Sequence, residues 1–560
     1  MPISDDQLID ILTKIKVLDE KKIATTKDYM AHNEIGLQEA LLEQDLIEDE
    51  QLGIAIANFL KVPFVNLSKI SIPPDVSHIV PERVARKHSA LAFARDDKGI
   101  KLAMADPTDK ILIESIAHKT QMPVTVHFAT QRDIQNAFHL YKKNPQIAFK
   151  ELLSNAGIDD IEKAKNIPVA KIVDMILTTA YYDNVSDVHI EPQEEGSVVR
   201  YRLDGMLKEV LTYPKLLHDR ILTRLKVMAR LRTDEHLAPQ DGKIRISVDD
   251  GNLDLRLSII PIVEGEKAVL RLLASRNRSI TLSDLGMSEE DLKKVTHSYN
   301  KSFGMILSTG PTGSGKSTSI YSILKVLNVR TKNITTIEDP VEYRLKGVNQ
   351  IQVNTKANLT FASGLRSILR QDPNIILVGE IRDKETANIA VNAALTGHLV
   401  VSTLHTNDAA TALPRLIDMD IEPFLVSSTV NIIIAQRLVR KICEMCKTSY
   451  EITIEEIKKN FSPDIIKKYF DKKKTVRAYK GTGCNICHHT GYRGRIGIFE
   501  VLETSKEIRK LILQKNDSDV IVTQAQKEGM TLMLEDGIRK VIDGVTSFEE
   551  ILRVTKTESV

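Results

Sequence analysis

The sequence predicts an α/β protein built on a parallel sheet with helices on both faces, preceded by an α+β domain and a smaller N-terminal α/β domain. Three observations carry this expectation. From Thr281 onward the apolar runs "GMILSTG", "NITTIED", "NIILVGE" and "HLVVSTLH" are each followed by a helical segment, and near-continuous apolar runs imply strands covered on both faces. Between residues 167 and 278 strand patterns succeed one another with only one or two helices among them, as in an α+β domain. Before that, helical spacing alternates with short strands. A chain of 560 residues exceeds the size at which one core stops growing, so three or more domains are expected.

Composition narrows the class. Apolar residues make up 42% and charged residues 27%, as in soluble globular proteins. The net charge of +2 gives no overall field towards nucleic acid, and no nucleic-acid partner is expected. The N-terminus "MPISDDQLID" is acidic and lacks the apolar core of a secretory signal, which predicts a cytoplasmic chain. The most apolar stretch, "FLVSSTVNIIIA" from Phe424 to Ala435, is about a dozen residues against the roughly 20 a bilayer needs. No direct membrane insertion is expected, and membrane contact would run through a partner at the inner face.

In chain order, residues 1–145 form the first domain. "GLQEALLEQDLIEDEQLGIAIANFLKVPFVNL" reads as two short helices and a strand "VPFVNL"; "GIKLAMADPTD" and "PVTVHFAT" read as strands flanking a helix that carries "ILIESIAH". The polar stretch from Lys142 to Asn166 supplies a linker over 146–166, ending where Pro168 opens a helix. The second domain, 167–278, holds the helices "PVAKIVDMILTTAYY" and "LLHDRILTRLKVMARL" and the strands "SDVHIEP", "VVRYRLDG", "GKIRISV", "LDLRLSII" and "AVLRLL". The third spans 281–560.

"GPTGSGKST" comprises Gly310, Pro311, Thr312, Gly313, Ser314, Gly315, Lys316, Ser317 and Thr318, between a strand and a helix, as a phosphate-binding loop requires. Gly313 and Gly315 let backbone N–H groups turn around phosphates, Lys316 supplies a cation, and Ser317 offers a hydroxyl to Mg²⁺. The helix beginning near Lys316 aims its positive end at the same anion. In "NIILVGEIRD" Gly379 stands where an aspartate is normally expected, and Glu380 follows at the carboxyl end of the strand, where open α/β sheets place ligands. Glu380 either organises Mg²⁺ through a water, or caps the next helix or pairs with Arg382. "TIEDPVEY" ends the neighbouring strand with Glu338, Asp339 and Glu342. Glu338 is the candidate base for a water attacking a γ-phosphoryl group; the alternative is a turn at Asp339-Pro340 that only ends the strand. His405 faces the same side as a candidate phosphate sensor, while His398 begins its strand.

Two further sets stand out. Arg256 in "LDLRLS" and Arg271 in "AVLRLL" are charges inside apolar strands, costly unless they reach an anion or solvent. Cys443, Cys446, Cys484 and Cys487 form C-x2-C-x37-C-x2-C, a spacing that suits a closed tetrahedral zinc site. His488 or His489 could replace one sulfur, and reduced cysteines without metal are the other reading. The interval holds a Lys-rich helical excursion, "EEIKKNFSPDIIKKYF".

The ordered run "GPTGSGKST", "TIEDPVEY", "ILVGEIRD", "TGHLVVSTLHTND", preceded by "SDVHIEP" and "LAPQDGKI", resembles the secretion ATPases that power type IV pilus assembly and type II secretion. The resemblance implies a RecA-like domain over 281–560 that binds ATP and Mg²⁺, and a Walker B element ending in Gly379-Glu380. It also implies an aspartate-rich box at Thr336 to Tyr343 and a histidine box at Thr396 to Asp408. By the same resemblance, Arg256 and Arg271 bind nucleotide as the second domain closes, the cysteine quartet holds structural Zn²⁺, and the chain forms a homo-hexamer that acts on an inner-membrane platform protein. Length and the N-terminal extension favour pilus assembly over type II secretion. The N-terminal region resembles a domain that in some relatives binds cyclic di-GMP, but Asn33 and Asp45 depart from that pattern, which favours docking. The rivals from other classes are a DNA-translocating motor and a nucleotide-gated scaffold.

Overall fold

The computed structural model describes residues 3–33, 35–44, 46–70, 72–141, 145–158, 167–248, 251–273, 280–471, 473–484 and 487–555. The chain divides into two compact units, one of residues 57–278 and one joining residues 3–56 to 279–560. The expected single domain over 1–145 is thus shared between two units. Asp45 and the side chain of Asn33 lie outside the described residues.

In the unit of residues 57–278, a small sheet carries β1 (Ala90–Asp96), β2 (Gly99–Met104) and β3 (Val124–Phe128). β1 and β2 are antiparallel and β2 and β3 parallel, the parallel pair joined by the helix Lys110–Thr120 because such a pair needs a crossover. The expected strand "VPFVNL" is reduced to one bridge between Phe64 and Phe128. Pro63 has no N–H to give a ladder, and its carbonyl accepts from the Phe128 amide at 2.8 Å.

The expected linker 146–166 is corrected over its first half. Pro145–Asn155 is a helix whose Phe149 and Leu153 are buried in the core of the next sheet, and the Thr212 amide donates to Gln146 Oε1 at 3.0 Å. Residues 159–166 lie outside the described residues. That next sheet has six strands in the order β6-β5-β4-β9-β8-β7: β4 (Asp187–Gln193), β5 (Gly196–Leu203), β6 (Met206–Tyr213), β7 (Gln240–Val248), β8 (Gly251–Ile262) and β9 (Gly265–Leu273). Neighbours are all antiparallel. Helices Val169–Tyr182 and His218–Met228 contribute Ile172, Ile176, Leu222 and Leu225 to a core shared with Val188, Ile190, Leu255, Leu257 and Leu270. The alternate residues of the same strands, Arg256 and Arg271 among them, therefore face away from those helices.

The second unit is organised by a seven-stranded sheet in the order β12-β11-β13-β14-β10-β15-β18. Its strands are β10 (Gly304–Thr309), β11 (Ile334–Glu338), β12 (Asn349–Gln352), β13 (Ile375–Val378), β14 (Leu399–Leu404), β15 (Val430–Ile442) and, after an excursion, β18 (Tyr492–Glu503). All pairs are parallel except β15 with β18. The four expected apolar strands fall on β10, β11, β13 and β14. Successive residues point to opposite cores: Met305 and Leu307 join one, Ile306 the other; Ile376 and Val378 one, Ile375 and Leu377 the other. That is why these strands lack polar alternation. The apolar stretch from Phe424 resolves into the end of helix Pro423–Thr429 and the start of β15. Among the described residues no helix is long and apolar enough to cross a membrane.

In the excursion, β16 (Lys447–Thr453) and β17 (Thr475–Gly481) pair antiparallel around the helices Ile454–Lys458 and Pro463–Phe470, where the helical insertion is expected. At the other end of the sequence are helices Asp5–Lys14, Glu20–Asn33 and Leu37–Glu43, the last of which meets the helix Lys316–Leu327. The Glu43 carboxylate accepts from Tyr29 at 3.0 Å and lies 3.3 Å from Lys325 Nζ, both ends of that ion pair being largely buried.

Candidate functional site

The loop between β10 and the helix Lys316–Leu327 is shaped by three glycines with φ of 139° (Gly310), 81° (Gly313) and 92° (Gly315), a region other residues enter at a cost. Space enforces two of them. A Cβ on Gly310 would lie 2.5 Å from the Gln436 carbonyl, and one on Gly315 would lie 3.0 Å from Gln436 Nε2. Gln436, buried on β15, also donates to the Ser314 carbonyl at 2.9 Å and accepts from Ser319 Oγ at 2.7 Å. It props the loop from behind. Lys316 Nζ donates to the carbonyls of Gly310 (2.7 Å) and Pro311 (3.0 Å). Burial pulls its pKa down and the nearby Glu380 carboxylate opposes this. Pro311, Thr312, Gly313 and Ser317 are exposed on the rim, and Thr318 is half-buried. The cradle of turned amides, a lysine and a helix N-terminus fits a triphosphate.

Glu380 and Glu338 stand at the tips of adjacent strands, with Ile337 and Val378 as register partners. The glycine between them has a local reason. The Gly379 amide donates to the Ile337 carbonyl at 2.8 Å, and a Cβ there would stand 3.2 Å from both that oxygen and Glu338 Cα. Glu380 is 9% exposed and pairs with Arg382 Nη2 at 2.5 Å and His405 Nε2 at 3.2 Å. The following helix is capped not by Glu380 but by Asp383, whose carboxylate accepts from the Thr386 amide. Arg382 and His405 thus flank the Glu380 carboxylate, whose charge also acts on Lys316. His398, by contrast, bonds the Ala393 carbonyl through Nδ1 at 2.9 Å and serves the turn before β14.

Glu338 is 5% exposed. Its Oε1 accepts from Thr336 Oγ1 at 2.6 Å and Gln350 Nε2 at 3.2 Å, and its Oε2 from the Tyr321 hydroxyl. Among the described residues it has no ion pair. Burial pushes its pKa up, and the three neutral donors offset this only in part. Such a carboxylate is a better proton acceptor than an exposed one. Tyr321, Gln350 and Gln436 were not singled out by sequence reasoning.

Arg256 and Arg271 belong to the unit of residues 57–278, where they are register partners on β8 and β9. The transverse row they share runs Lys243, Arg256, Arg271, Asp187 across four strands. Asp187 is buried and accepts from Arg271 Nε at 3.0 Å, and Arg202 Nε lies 3.3 Å from its other oxygen. The Arg271 side chain itself is 60% exposed.

The sulfurs of Cys443, Cys446, Cys484 and Cys487 all lie within 4.8 Å of one another. The pairs Cys443–Cys484, Cys446–Cys487 and Cys484–Cys487 are 3.9, 3.8 and 3.7 Å apart, close to the ~3.8 Å between thiolates bound tetrahedrally at ~2.3 Å. Amide N–H groups of Gly483 and Gly491 point at Cys446 and Cys487, as donors to thiolates do. The donor set fits a closed metal centre. His488 and His489 are not among the grouped ligands.

Comparison with known proteins gives two family matches: "Type II/IV secretion system protein" over residues 162–553 and "MshEN domain" over residues 60–148. The type IV pilus assembly ATPase PilB of Myxococcus xanthus is 37% identical over 563 residues, covering 98% of each chain. The type II secretion system protein E of Pseudomonas aeruginosa is 46% identical over 400 residues, covering 71% of this chain and 78% of its own. Among solved structures, the Legionella pneumophila ATPase DotB superposes with a TM-score of 0.52 at 21% identity, covering 70% of this chain and 98% of its own; that likeness is one of fold.

Proposed function

The chain belongs to the type II/IV secretion system protein family, and on that premise we propose that it hydrolyses ATP to drive type IV pilus assembly through a membrane platform protein, as a homo-hexamer. The observation that carries this is the pair of buried carboxylates, Glu338 and Glu380, at the tips of strands beside the Lys316 loop. Triphosphate sits on the loop amides and Lys316; Ser317, and Glu380 through a water, would hold Mg²⁺, which would supply charge neutralisation at the phosphates. Water attacks the γ-phosphorus, and its proton goes to Glu338. The bond to the β,γ-bridging oxygen breaks and ADP leaves with that electron pair. His405, paired with Glu380, senses the γ-phosphate, and Arg256 and Arg271 add cations to the same reading. The four cysteines hold a structural Zn²⁺, and the N-terminal region docks to a partner.

Pilus assembly is preferred because a pilus ATPase relative matches over 98% of both chains; the 46% identical secretion protein supports type II secretion as the second reading. Two measurements test the proposal. Phosphate release should fall roughly 100-fold or more in Glu338→Gln, and cells lacking the chain should lose surface pili while still secreting pseudopilin-type substrates. Wild-type protein that binds ATP but never releases phosphate points to a scaffold, and turnover stimulated only by single-stranded DNA points to a translocating motor.

A further inference from the structure

We infer that Tyr321 is a positioning residue that holds Glu338 in its reactive orientation through a buried network joining the phosphate-loop helix to the edge of the sheet. The inference rests on the reading of Glu338 as the base. Tyr321 lies five residues beyond Lys316 on the same helix and is 1% exposed. Its hydroxyl donates to Glu338 Oε2, while Thr336 and Gln350 hold Oε1. Gln350 is itself fixed, donating to the Tyr343 carbonyl at 3.2 Å and accepting from the Leu345 amide at 2.8 Å. The Tyr343 ring packs edge-on against Tyr321 with centroids 4.5 Å apart. One carboxylate is thus gripped from the helix, from its own strand and from β12.

A carboxylate on a two-methylene stem has several rotamers, and a base works only when one oxygen faces the water. Of the three grips, only that of Tyr321 reaches Oε2, and it comes from the element that also carries Lys316. Phosphate loop and base are thereby kept in one frame. The titratable groups whose charge bears on Glu338 are few. Tyr321 lies on the helix and Glu342 on the segment after β11, where it raises the affinity for a proton; β12 offers only the neutral Gln350, and the adjoining end of β13 offers Gly379. Removing the phenol's hydroxyl takes a donor from the charged form, so the carboxylate should hold its proton to higher pH.

The test is steady-state phosphate release by the full-length protein with ATP and Mg²⁺ from about pH 5.5 to 9, for wild type, Tyr321→Phe, Gln350→Met and Glu338→Gln, with nucleotide affinity measured separately. Tyr321→Phe keeps the ring and its packing on Tyr343. It should lower kcat roughly tenfold, leave ATP affinity within about twofold, and move the acid limb of kcat to higher pH; Gln350→Met should do the same more weakly. Unchanged kcat and pH profile in Tyr321→Phe, with Glu338→Gln inactive, overturns the positioning role and leaves the base intact. Full turnover in Glu338→Gln removes the base itself. Loss of ATP affinity with kcat retained assigns Tyr321 to loop folding and also overturns the inference.

Discussion

Gly379 and Glu550 show how single residues decide the site and its support. An aspartate at 379 would press its Cβ against the end of β11, so the acid moves one position on. Glu550 works from a distance. It receives Arg440 Nη2 at 2.7 Å and Arg553 Nε at 2.9 Å, and although burial alone would raise its pKa, donors from Arg553 and Arg440 bring it down from 4.5 to about 2. A folded-state pKa below the unfolded one adds stability that is fully present above about pH 4.5 and lost as pH falls through 2. Glu550→Gln should therefore be about 3 kcal/mol less stable than wild type at pH 7, with the gap closing between about pH 5 and pH 2 in denaturant titrations. At this scale the phosphate loop and the cysteines were legible from fixed spacing, and Glu338 and Glu380 from their place at the carboxyl ends of apolar strands. Tyr321, Gln350 and Gln436 were not, since one polar residue in a helix, in the polar edge strand β12 or in an apolar strand leaves no periodic signal that names its partner. Pairing with Arg382 was the alternative kept open for Glu380, and the geometry includes it.

At the scale of elements, β10, β11, β13 and β14 could be read because both faces are covered and polar residues would be expelled; β12, half-exposed at the sheet edge, β15 and β18 were not among them. β6 and the helix Pro145–Asn155 could not. β6 buries only Leu211 and Tyr213 fully, and the helix buries Phe149 and Leu153 behind a polar outer face, so its composition imitates a linker. "VPFVNL" failed in the opposite sense, apolar enough for a strand but interrupted by a proline. β15 ties two features together, carrying Gln436 beneath the phosphate loop and ending beside Cys443. Elemental analysis should find about one zinc per chain, falling to near zero in Cys443→Ser/Cys484→Ser, and chelation at neutral pH should lower the melting temperature of wild type but not of that variant.

At the scale of the whole molecule, residues 3–56 group with residues 279–560 rather than with the residues that follow them in sequence. Local periodicity cannot report such partnerships, because the contact between Glu43 and Lys325 joins residues 282 positions apart. Glu43→Ala removes a carboxylate 3.3 Å from the largely buried Lys325, on whose charge Glu39 also draws, and should cost about 2 kcal/mol, measured by chemical unfolding; Glu43→Ala/Lys325→Met should recover most of it. Equal stability of the single variant and wild type would show that the N-terminal helices are not seated there.

The cysteine-bearing excursion leaves the main sheet at Ile442 and rejoins it at Tyr492, and those two residues are register partners on β15 and β18. Departure and return are separated by one strand spacing, about 5 Å, the gap a tight hairpin turn closes. An ancestral hairpin could gain or shed the cysteine module at that point without rethreading a single strand, so its presence or absence among relatives is free to vary while the nucleotide-binding sheet stays the same.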